Sequence, residues 1–75
     1  MHEAKDVMLG PRVHAHSVRC AVCDRRVGGH LRQALVAVPV RAGEDWEYVP
    51  GEPVGALCPS CTEAVRREWL EMPDA

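Results

Sequence analysis

Two short motifs, Cys20-Ala-Val-Cys23 and Cys58-Pro-Ser-Cys61, hold all four cysteines of the chain and lie 34 residues apart. A C-x-x-C turn places two sulfurs on one edge of a tetrahedron, and a second pair supplies the opposite edge. The pattern predicts one metal ion, zinc, bound by Cys20, Cys23, Cys58 and Cys61. Four protein ligands leave no position for water or substrate, so the expected role of the metal is structural. The alternatives are two disulfides or four unrelated thiols. The N-terminus carries Glu3, Lys5 and Asp6 with no apolar run of secretory type, so a cytoplasmic setting with reduced thiols is expected.

Composition supports a need for such a staple. A chain of 75 residues has room for one domain. Its apolar residues are mostly Val and Ala, Phe and Ile are absent, and the aromatics are Trp46, Tyr48 and Trp69. A core of small side chains removes little area from water, and domains of this size often depend on a metal or disulfides. No apolar stretch is long enough to cross a bilayer, so no membrane role is expected.

Local patterns give an outline. Residues 1–17 lack a clear period and read as a partly flexible arm, with at most a short strand near Arg12 to His16. Residues 18–75 then form the metal-binding domain. Leu31 to Arg41 reads as a strand with Val36, Val38 and Val40 on one face and Pro39 forcing an edge position. Ala42-Gly43-Glu44-Asp45 is a turn, and Trp46 to Val49 is the returning strand. Pro50-Gly51-Glu52-Pro53 reads as a second turn, with a short strand at Val54 to Leu57. A helix is expected from Ser60 to Met72, with Ser60 and Glu63 as a capping box and Pro73 as the stop. Cys61, Val65, Trp69 and Met72 share one face of it, and Glu63 pairs with Arg67 at i,i+4.

A knuckle, a hairpin and a second cysteine pair opening a helix resemble the treble-clef group of zinc fingers over residues 18 to 72. The resemblance implies a small α+β zinc-stabilised domain, with the second pair at the free amides of the helix start. Asp24 stands where such knuckles often have glycine. A zinc ribbon, with both pairs on hairpin turns, is the alternative architecture. The C-x-x-C and C-P-x-C pair also resembles rubredoxins, which would imply iron and electron transfer. Here, however, Asp24 and Thr62 replace the usual glycines, and the aromatic core is missing. Nucleases of the HNH type also use a treble clef, but they need a catalytic His and Asn, and this chain contains no Asn.

The remaining chemistry is sparse. No catalytic constellation is visible, so an enzyme is not expected. Gly28-Gly29 reads as a turn. His14, His16 and His30 read as exposed loop histidines, since four thiols already complete a site. A replacement ligand, or a second metal using His14 and His16, is the alternative. Arg19, Arg25, Arg26 and Arg32 cluster about the first cysteine pair, while residues 43–75 hold eight acids against Arg66 and Arg67. Two partner classes follow. Trp46 and Tyr48, with the hairpin edge and the acidic helix surface, suit a protein-interaction adaptor. The arginine face suits phosphate groups of a nucleic acid, although no aromatic side chain is interleaved there for base stacking.

Overall fold

The computed structural model of the protein describes residues 2–70. Ala4–Asp6 form a 3-10 turn, followed by β1 (Val7–Arg19), β2 (Arg26–Ala42), β3 (Asp45–Leu57) and α1 (Pro59–Leu70). The strands make one antiparallel sheet in the order β1-β2-β3. The described residues therefore form an α+β domain of one sheet and one α-helix. No helix among the described residues is long and apolar enough to cross a membrane.

The central strand keeps its register, and the two edge strands absorb the irregularity. On β1 the pairing shifts between Leu9 and Arg12 and again between Ala15 and Val18, each time with one more residue on β1 than on β2. On β3 it shifts near Val54 and again between Pro50 and Pro53. Such bulges bend and twist edge strands. The expected turn at Pro50-Gly51-Glu52-Pro53 is therefore a correction: these residues lie within β3, as an irregular stretch of strand. Gly28-Gly29 is a second correction, since both belong to β2. A β-carbon at Gly28 would collide with the carbonyl oxygen of His16, and Gly29 has φ 97°. Gly28 admits the bulged β1 backbone where any side chain would exclude it, and Gly29 supplies a backbone conformation that side chains disfavour.

Strand β1 runs through residue 17, where the sequence suggested the border between an arm and the domain. Val7 near its start is fully buried and packs in the core. The expected hairpin turn is present: Gly43, φ 67°, and Glu44 form a two-residue loop with glycine in first place. Pairing of β1 with β2 ends at Val7 opposite Val36. Beyond it, residues 37–50 continue as a two-stranded arm, and the molecule measures 43 × 22 × 20 Å. Pro39 thus sits on a locally open edge of a strand that is central elsewhere.

The helix differs from expectation at its start. It begins at Pro59, so Ser60 is inside it and the cap is Cys58. The Cys58 sulfur accepts the Cys61 N–H at 3.4 Å, the place a serine hydroxyl takes in an ordinary cap. Proline suits the first helical position because its missing N–H would have had no helical partner. Glu63 is ion-paired with Arg66 at i,i+3 rather than with Arg67. Met72 and Pro73, part of the expected helix and its stop, lie outside the described residues.

The core is small. Leu57, Val7 and Val65 are the largest fully buried side chains, joined by Ala34, Ala21, Cys20, Cys58 and Cys61. Each of the three large ones contributes about 1.5–3 kcal/mol. Ordering one residue costs about 1–2 kcal/mol, so this core offsets only part of the chain's entropy. Three of the eight residues of the core cluster are cysteines, so the cluster continues into the sulfur site. Trp69 ties the helix to the sheet: its Nε1–H donates to the Val7 carbonyl at 2.7 Å, and its ring meets Tyr48 edge-on at 5.4 Å.

Candidate metal centre

The two cysteine pairs follow the C-terminal ends of the two edge strands, β1 and β3, which run in the same direction and so deliver both pairs to one end of the sheet. Cys20 to Cys23 form the turn between β1 and β2, closed by the Asp24 N–H on the Cys20 carbonyl at 3.0 Å and the Cys20 N–H on the Arg25 carbonyl at 2.8 Å. Asp24 leaves that turn with φ 63°, the left-handed conformation that glycine usually supplies and that Asp tolerates. Its carboxylate lies 3.4 Å from Arg19.

A backbone clamp then docks the turn on the end of β3. The Ala21 N–H donates to the Ala56 carbonyl at 2.9 Å, and Cys20 forms a parallel bridge with Ala56. Ala56 is two residues before Cys58. The clamp therefore sets the first pair beside the helix start that carries the second. Gly55 supplies φ 140° there, a backbone conformation that side chains disfavour.

The four sulfurs lie within 4.8 Å of one another, and all four thiols are free. Cys23 and Cys58 sulfurs are 3.6 Å apart, far beyond the roughly 2.05 Å of a disulfide. A tetrahedral ion with metal–sulfur bonds of about 2.3 Å sets its sulfurs about 3.8 Å apart. The donor set thus fits a four-coordinate thiophilic metal. Cys20, Cys58 and Cys61 are buried, and Cys23 is exposed at the rim.

The electrostatics point the same way. Burial raises the Cys20 thiol, but hydrogen bonds from the backbone of Cys23, Cys58 and Val22 outweigh it and hold Cys20 down from 9.0 to about 6. The Val22 and Cys58 N–H groups lie 3.5 Å and 3.4 Å from its sulfur. Cys61 moves the other way: burial, then the neighbouring thiols of Cys58, Cys20 and Cys23, raise it well above its ordinary value. For Cys23 the backbone at Arg25 lowers the value, but desolvation and the thiols of Cys58 and Cys20 leave it raised. Four sulfurs this close cannot ionise together on their own; a divalent cation between them removes the conflict.

The other candidate residues do not converge on this centre. Arg19, Arg25 and Arg26 are exposed around the turn, Arg19 held by Asp24 and Arg26 hydrogen-bonded to Ser17 at 3.1 Å. Arg32 is half-buried and donates to the Gly10 carbonyl at 2.7 Å. Trp46 and Tyr48 lie on the arm, far along β3 from the cysteines, with Trp46 62% exposed. A cleft of about 290 Å³ lies between the sheet and the start of α1, lined by Arg12, His30, Arg32, Leu57, Thr62 and Arg66 among others. Sequence reasoning did not anticipate it, because its walls come from three separate segments.

Fold and site define a small α+β domain built around a four-cysteine cluster able to hold a metal ion. The chain matches no family model, no curated protein and no solved structure.

Proposed function

We propose that the chain is a zinc-binding domain of treble-clef type whose four-cysteine site is structural, and that it acts as a protein-interaction adaptor through its projecting arm. Zinc is favoured by a closed tetrahedral set of four thiolates with no open position. The start of α1 at the second cysteine pair supports the treble-clef reading over a zinc ribbon.

The observation that carries the adaptor role is Trp46, 62% exposed near the tip of an arm that no third strand flanks, two residues beyond Tyr48, where the Trp69 ring of α1 meets the arm. Arg41 lies directly opposite, its guanidinium 5.8 Å from the indole centre. Tyr48 and Pro39, the next opposed pair but one, share that face. Aromatic residues and Arg are enriched where proteins meet, and they dominate binding energy there. The contact would use this face rather than the strand edges, because Pro39 and Pro50 have no N–H to offer a further strand.

The test is quantitative affinity enrichment with wild type and Trp46→Ala, after one tightly held, colourless zinc per chain has been verified. A partner that is retained at high salt and lost with Trp46→Ala, at unchanged zinc content and thermal unfolding, supports the reading. The same partner on both proteins would refute the role of Trp46. Nucleic-acid binding that weakens steeply with salt and disappears in Arg25→Glu with Arg26→Glu would replace the adaptor by a phosphate-binding role. A coloured iron protein would replace it by electron transfer.

A further inference from the structure

Three of the four histidines form one patch, and strand pairing assembles it. His14 and His16 are two residues apart on β1, so both project from the same side. His30 lies directly opposite His14 on β2 and shares that face. The ring centres of His14 and His30 are 4.9 Å apart, and those of His14 and His16 are 5.7 Å apart. All three residues are exposed. Among the described residues no side-chain hydrogen bond or ion pair engages any of the three rings.

The two spacings from His14 are those of a metal-bound set. With an imidazole nitrogen at about 2.0–2.1 Å from zinc, the ring centre sits roughly 3.2 Å from the ion, and a tetrahedral angle separates two centres by about 5.2 Å. The observed 4.9 and 5.7 Å fall on either side of that value. The cysteines remain the set whose donor atoms already converge. The three histidine side chains are exposed and carry no hydrogen bond or ion pair among the described residues, so nothing there holds their rings in the present rotamers.

We infer that His14, His16 and His30 form a second metal site, separate from the cysteines, for a divalent transition-metal ion. Imidazole suits zinc, nickel and copper. Three protein ligands leave one coordination position open, unlike the closed cysteine set. Arg12 and Arg32, the next opposed pair but one, lie on the same face and line the adjoining cleft with His30. Their charge opposes the cation and favours a small anion over water as the fourth ligand. The site therefore fills at higher free metal than the cysteine site.

The experiment uses untagged protein carrying one zinc in the cysteine site, titrated with cobalt(II) and read by visible absorbance and metal counting. The expected result is a second equivalent per chain, with d–d bands but no thiolate charge-transfer band. His14→Gln loses that equivalent because both ring contacts run through His14, while His2→Gln keeps it; neither changes circular dichroism or the first zinc. No second equivalent at millimolar cobalt overturns the site. So does a half-equivalent that bridges two chains, or a full equivalent that survives His14→Gln.

Discussion

Cys58 occupies three roles at once, and serine at that position separates them. Its sulfur is one of the four donors, it accepts the Cys61 N–H as the helix cap, and its own N–H donates to the Cys20 sulfur. Serine is a good cap and retains the backbone donor, so Cys58→Ser removes the metal ligand alone. A globular chain of this length has about 4–11 kcal/mol of net stability. Structural zinc supplies about 10–16 kcal/mol in small zinc domains, as much as or more than that total. With only Leu57, Val7 and Val65 as large, fully buried side chains among the described residues, loss of zinc leaves too little to hold the fold. Cys58→Ser is therefore expected to lose its zinc and its cooperative thermal transition, followed by circular dichroism at matched zinc. In excess chelator wild type should behave like the variant, and Cys58→Ala should be worse than Cys58→Ser by about 1 kcal/mol of capping wherever residual structure allows comparison. A Cys58→Ser protein that melts cooperatively without metal would refute the reasoning, since the apolar core would then suffice.

Zinc binding at pH 7 should release at least two protons, one each from Cys23 and Cys61, whose values are raised, beyond whatever Cys58 contributes. Cys20, held near 6, should add only about 0.1 at pH 7 but about 0.9 at pH 5, so the release rises and the affinity falls as the solution is acidified. Calorimetry in buffers of different ionisation enthalpy counts these protons, and a count that does not grow toward pH 5 would contradict the assignment for Cys20. Asp24→Val should lower stability by about 1–2 kcal/mol because a β-branched residue resists φ 63°, whereas Asp24→Gly should lie within about 1 kcal/mol of wild type; equal melting of both variants would argue against the left-handed turn. Gly28→Ala should cost more than about 2 kcal/mol through the clash with the His16 carbonyl, and a neutral effect on melting would mean that β1 can withdraw. Trp69→Phe removes the bond to the Val7 carbonyl and should lower the melting temperature by about 4–8 °C, with zinc bound throughout.

Much of the local structure follows from short-range signals. The Gly43 turn, the strand on each side of it and a helix after the second cysteine pair can all be read from neighbouring residues. The misreadings share one cause. Pro50-Gly51-Glu52-Pro53 and Gly28-Gly29 carry turn composition, yet long-range pairing with β2 and β1 draws them into strands as irregular segments. Ser60 and Glu63 match a capping box, but the Cys58 sulfur caps the helix earlier, and a cysteine at the cap does not advertise itself in a propensity scale.

The amino-acid sequence by itself determined the donor chemistry: four thiols in two turns, in a chain too poor in large apolar side chains to rely on its core. Only the tertiary structure decided that the four meet. That depends on the Ala21–Ala56 clamp, a backbone contact in which side-chain identity plays little part. It also decided that His30 faces His14 across two strands and that the arm extends past the end of β1. Register is a sum of pairings between distant residues, shifted by each bulge, and no local pattern in the chain encodes that sum.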